Sequence, residues 1–132
     1  MKIKPSIATA VLALASAILP FSSQAASWPE KQIRMVVPFP PGGNTDNIAR
    51  LVGTGLSKEL DQTVVIENIS GASGSIGANN VAKAPNDGYS LLMGTVGTQA
   101  INMSMFKSMS EESLNDFAPV MLVTSIPNVL VV

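Results

Sequence analysis

The chain repeats one pattern three times: a short apolar run, a turn of small residues, then apolar positions at helical spacing. The first run, Ile33 to Val37, has strand length and is apolar apart from Arg34, which suits a buried strand. Pro38, Pro40 and Pro41 end it, because each removes a backbone donor and fixes φ. Gly42 and Gly43 permit positive φ and leave the backbone bare. A helix follows from Thr45 to about Leu60, with Ile48, Leu51, Val52, Leu56 and Leu60 on one apolar face. Asn44, Thr45 and Asp46 are its candidate N-caps. Arg50, Lys58 and Glu59 fall on the solvated side. Gly53 and Gly55 each weaken a helix by about 1 kcal/mol relative to Ala, and are expected where it packs closely on a sheet.

The second unit has Val64 to Glu67 as strand, Asn68 to Gly77 as turn, and a helix with Ile76, Val81 and Ala82 as apolar positions. Lys83 to Gly88 stops that helix with strong turn chemistry. The third has Tyr89 to Met93 as strand, Gly94 to Gln99 as turn, and a short helix from Ala100 to Phe106. Residues 107–116 read as a polar surface loop, and 118–132 return to strand character, interrupted by Pro127. Trp28, ahead of the first strand, is placed to pack over the sheet edge.

Three strand-turn-helix units in a row predict an α/β fold with a parallel sheet and right-handed crossovers. They put all three turns at the carboxyl edge of the sheet, where open α/β sheets bind ligands. Bare N–H groups and a positive helix end there favour an anion. Each turn alone is also what an ordinary strand-to-helix connection looks like. The first lacks the Gly-Lys-Ser or Gly-Lys-Thr of a phosphate loop, and Gly71, Gly74 and Gly77 lack the first glycine pair of a dinucleotide fingerprint.

Composition narrows the chemistry. Met1 to Lys4 is basic, Ile7 to Phe21 is uncharged and mostly apolar, and Ser23-Gln24-Ala25 fits a small-x-small cleavage site. This predicts a secretory signal peptide over residues 1–25, too short for a comfortable membrane span. Its removal lowers the basic count from 8 to 6 against 9 acidic residues, a net charge of −3. Nucleic acid and acidic membrane surfaces are poor partners for that balance. His and Cys are both absent, which excludes a His-based triad, a Cys nucleophile, the usual zinc sites and disulfides. The apolar ending Val129 to Val132 would be an exposed strand, so a longer protein or a truncated gene is expected.

Trp28-Pro29, Ile33-Arg34, Val36 to Gly43, Thr45-Asp46, Ala49-Arg50, Val65 to Asn68, Gly71 to Gly77, Ala82 to Ala84, Asp87 to Tyr89 and Leu91-Leu92 stand in a specific order. Gly94-Thr95, Gly97-Thr98, Ala100 to Asn102, Asp116-Phe117, Pro119-Val120 and Pro127 to Val132 extend it over nearly all of the chain after residue 25. This order resembles the substrate-binding proteins of tripartite tricarboxylate transporters, the Bug family. The resemblance implies a periplasmic two-lobed clamp of the type II periplasmic-binding-protein fold, monomeric at full length. Residues 26–118 would be part of lobe 1, and 119–132 the start of the crossing between lobes. It implies capture of a small organic acid for membrane permease subunits, with no cofactor and no turnover.

Carried over by position, the ligand contacts are Phe39, Pro41, Gly42, Gly43, Asn44, Thr45 and Asp46 on the first turn. On the third they are Gly94, Thr95, Gly97, Thr98 and Gln99, with Asn102 nearby; Ser73 and Gly74 come from the second. Backbone N–H groups and the Thr95 and Thr98 hydroxyls would meet the carboxylate. Asp46 would cap the helix, orient a water, or accept a donor on the ligand. Asn44 and Gln99 stand where the family often has Ser and His, and 103–113 departs from its usual aromatic and proline pattern. Two other functions stay open at this point: an α/β enzyme domain for an anionic substrate, and a truncated product that binds nothing.

Overall fold

The structure, a computed structural model, describes residues 27–105, 115–125 and 130. The signal segment, most of 107–116 and most of 126–132 lie outside the described residues. Three strands, β1 (Ile33–Val37), β2 (Val64–Asn68) and β3 (Ser90–Leu92), form a parallel sheet in the order β2-β1-β3. Met35 lies opposite Ile66 on one side and Leu91 on the other. The central strand is buried on both faces, as its near-continuous apolar run requires. The fold is α/β with a parallel sheet, as the three repeated units predict.

Helix α1 (Asn44–Leu60) and helix α2 (Ser75–Ala82) serve the two faces of the sheet. Met35 and Val37 join Ala49 of α1 and Met93 in the core, flanked by Val52, Leu56, Val64, Ile66 and Leu91. Arg34 is one residue out of step, so its side chain turns to the other face. There it donates to Asn80 of α2 at 2.8 Å and to Glu67 at 3.0 Å. The third unit continues as a π-helical turn (Gly97–Ile101) running into α3 (Asn102–Met105).

Several local expectations are corrected. The N-cap of α1 is Gly43, and no side chain caps its first turn. Leu51 is 76% exposed, and the buried floor of α1 is Ala49 and Gly53 instead. The reason is close approach: a Cβ on Gly53 would stand 2.9 Å from Ile66 Cδ1. Gly55 faces open space, so the packing role belongs to Gly53 alone. Ile76 is half exposed while Gly77 and Ala78 are buried, again because small residues sit where α2 meets the sheet. Helical structure in the third unit starts before Ala100, inside the expected turn. Residues 117–125 form no strand; Val123 lies against the α1 face of the core. Trp28 packs on Tyr89, ring centroids 5.9 Å apart, and against Gly88, at the amino edge of β3.

Candidate functional site

The three turns meet at the carboxyl edge of the sheet. Their meeting point is Gly74, with φ +90°. A Cβ there would lie 2.5 Å from Thr98 Cγ2 and 3.4 Å from both Phe39 Cζ and Pro38 Cβ, so residues of all three turns close on one Cα. Only glycine fits, for reasons of both space and backbone conformation. The second turn reaches this point through four successive residues of positive φ: Gly71 (128°), Ala72 (45°), Ser73 (56°) and Gly74 (90°). Two of these are not glycine, and such backbone persists only where surroundings hold it. Here Asn102, 4% exposed, donates through Nδ2 to the Ser73 carbonyl at 2.8 Å.

The third turn is locked internally. Thr95 N–H donates to Thr98 Oγ1 at 2.9 Å, and Thr98 N–H donates to Thr95 Oγ1 at 3.3 Å. This is a reciprocal capping box, with each hydroxyl answering the other's backbone donor. The Thr98 hydroxyl also donates to the Thr95 carbonyl at 3.1 Å, and Thr98 is 1% exposed. Its hydroxyl therefore serves the turn. Gln99 folds over Gly94, and its Nε2 is buried without a hydrogen-bond partner.

The first turn is held from below by Asp46. This carboxylate is 2% exposed and engaged from both oxygens. Gly42 N–H and Arg50 Nε each donate to Oδ2 at 2.9 Å, and Asn68 Nδ2 donates to Oδ1 at 2.9 Å. The same Asn68 nitrogen donates to the Phe39 carbonyl at 3.1 Å, and Asn68 Oδ1 accepts from Arg50 Nη2 at 3.3 Å. The hydrogen bond from Arg50 is the first reason that Asp46 is held down to about 2; the Gly42 N–H and Asn68 follow, against the opposing effect of burial. Asp46 is thus an anionic strut beneath the turn. Arg50, expected merely in solvent, is its counter-ion.

The residues singled out in the sequence divide accordingly. Gly42, Gly43, Asn44, Ser73 and Gly94 are exposed at this edge, with Pro41 beside them, and Phe39, Thr45, Thr95, Gly97 and Gln99 are half-buried. Asp46, Gly74, Thr98 and Asn102 are buried and hold the turns together. Two residues outside the expected set, Arg50 and Asn68, belong to that supporting group. The four-residue spacing of Asp46 and Arg50 was the one signal available for Arg50. A separate groove between α1 and β2 is lined by Arg50, Gly53, Thr54, Ser57, Val64 and Ile66, and its hydroxyls are engaged: Ser57 Oγ donates to the Gly53 carbonyl and accepts from Val64 N–H, and Thr54 Oγ1 donates to the Arg50 carbonyl.

A parallel sheet whose turns and uncapped helix start gather at one edge defines an α/β domain suited to holding a small, electron-rich ligand there. The chain belongs to the tripartite tricarboxylate transporter family receptors, whose family model matches residues 48–132. An Agrobacterium vitis protein of the ttuE-ttuC' intergenic region is 41% identical over 119 residues, 89% of this chain and 34% of the relative. BugT of Bordetella pertussis is 42% identical over 106 residues, 80% of this chain and 32% of BugT. MatC from Rhodopseudomonas palustris, solved with bound malate, is 38% identical with a TM-score of 0.69, over 73% of this chain and 33% of MatC. An R. palustris protein solved with adipate is 51% identical with a TM-score of 0.52, over 53% of this chain and 23% of that one. A structure described as a periplasmic transporter is 52% identical with a TM-score of 0.58, over 59% of this chain and 26% of that one. The chain spans about a third of the length of the curated relatives it matches.

Proposed function

We propose that this chain is the ligand-holding part of lobe 1 of a periplasmic two-lobed receptor for a small organic acid. The observation that carries this is the interlocking of three turns at one sheet edge beside the uncapped start of α1. The N–H groups of residues 43–45, the Ser73 and Thr95 hydroxyls and the bare backbone at Gly94 are the donors for a carboxylate. Asp46, Gly74, Thr98 and Asn102 position them. Phe39 and Pro41 shape the first turn, and Gln99 offers an amide at the third. The malate and adipate found with the two R. palustris relatives support a carboxylate as ligand.

In this proposal residues 1–25 direct export to the periplasm and are removed. Residues 119–132 begin the crossing to the second lobe, which closes over the ligand. The loaded receptor, a monomer, delivers its ligand to permease subunits of a tripartite transporter. Binding without turnover fits the receptor family to which the chain belongs and a sequence with neither His nor Cys.

Calorimetric titration of the full-length protein with malate, adipate and related mono-, di- and tricarboxylates tests this, with the matching amides as controls. Saturable binding of one or more acids and none of their amides is expected. Preference for the uncharged compounds, or no response to any acid, would overturn it. Titration of residues 26–132 alone is expected to give much weaker binding, since a two-lobed clamp buries its ligand from both sides.

A further inference from the structure

Asp46 poses a problem for an anion site. It is a buried carboxylate three residues past the N-cap of α1, at the helix end proposed to meet a ligand carboxylate. A like charge so near opposes binding, and burial weakens the screening that water would supply. Yet its geometry is needed, because Asp46 fixes both Gly42 and Asn68. Among the described residues a single cation answers it. Arg50 Nε lies 2.9 Å from Asp46 Oδ2, one helical turn along α1. The Arg50 side chain is 53% exposed on the outer flank, while the carboxylate beneath the turn is 2% exposed. The other ion pairs among the described residues, Lys31–Asp87 and Arg34–Glu67, involve neither residue.

We infer that Arg50 is a positioning and charge-balancing residue of the ligand site: it cancels the charge of Asp46, so that the strut shaping the first turn does not repel an anionic ligand. This rests on the carboxylate proposal above. Arg50 acts through Asp46 and Asn68. The arrangement separates two needs, since the carboxylate supplies the geometry and the guanidinium removes its field. A neutral side chain at position 50 would keep the strut and unmask its charge. A lysine would keep the balance and lose the second contact, to Asn68 Oδ1.

The test compares Arg50→Gln, Arg50→Lys and wild type in the full-length protein, titrated with the organic acid that binds best. Arg50→Gln is expected to bind about tenfold more weakly or worse, with Arg50→Lys within about threefold of wild type. The gap between the two variants should shrink as salt rises from about 0.02 M to about 0.5 M, because the screening length contracts to a few ångströms. A residue that merely stabilised the fold would lower thermal stability in both variants and give no such salt dependence. Equal affinity of Arg50→Gln and wild type would overturn the inference and leave the carboxylate proposal standing. Equal loss in both variants, unchanged by salt, would also overturn it, since shape and not charge would then govern. Failure of wild type to bind any acid would overturn both.

Discussion

The Asn68 side-chain amide, at the end of β2, donates to Asp46 Oδ1 at 2.9 Å, and so ties the first turn to the start of the second. It also holds the Phe39 carbonyl. One nitrogen thereby satisfies a buried carboxylate and a turn carbonyl. Replacing Asn68 with Ala would leave both acceptors short of a donor. The expected loss is about 1–3 kcal/mol, read from urea unfolding of the full-length protein. Asn68→Asp should do worse, since it sets a second carboxylate against Asp46.

The glycines give opposite signs at different places. Gly74→Ala combines left-handed φ with a contact of 2.5 Å to Thr98 Cγ2, and a loss of about 2–4 kcal/mol is expected from strain and overpacking together. Ligand affinity should fall with it, because the three turns meet there. Gly55→Ala places a methyl in open space on α1 and should stabilise by about 0.4–1 kcal/mol. Thermal melts of the two variants beside wild type check both signs.

Asp46 makes stability depend on acid. Its folded pKa, about 2, lies below the ordinary carboxylate range near 4, so the folded state favours the ionised form. That contribution is complete above about pH 4 and is lost as pH falls toward about 2. Stability measured in steps across this window should fall with acid in wild type and more gently in Asp46→Asn. Asp87, whose carboxylate is also held low, first by the Tyr89 N–H, contributes equally in both.

Asn102→Leu keeps the volume near α3 and removes the donor to the Ser73 carbonyl. The strained second turn should then relax. A stability loss of about 1–3 kcal/mol is expected, with a further weakening of ligand binding in calorimetry. Asn102→Ser, which retains a shorter donor, should recover part of the binding.

The sequence by itself determined the succession of strands and helices and the side of the sheet on which the turns lie. Those follow from local rules: prolines and glycines interrupt Ile33–Val37 and its two counterparts, and parallel connection puts every such turn at one edge. Family membership was also legible, because it rests on the order of motifs. What the tertiary structure decided is the work each residue does within the edge. Asp46, Thr98 and Asn102 stood by position among the expected ligand contacts, yet their polar atoms are engaged within the edge: Thr98 by its near neighbour Thr95, and Asp46 and Asn102 also by residues that the chain brings near only on folding. Asn68 meets Asp46 across 22 positions, and Asn102 meets Ser73 across 29. Leu51 was misplaced on the buried face, whereas Gly53 packs on the sheet as expected: spacing marks a helix face, but only the distance to Ile66 determines which side chain the sheet has room for.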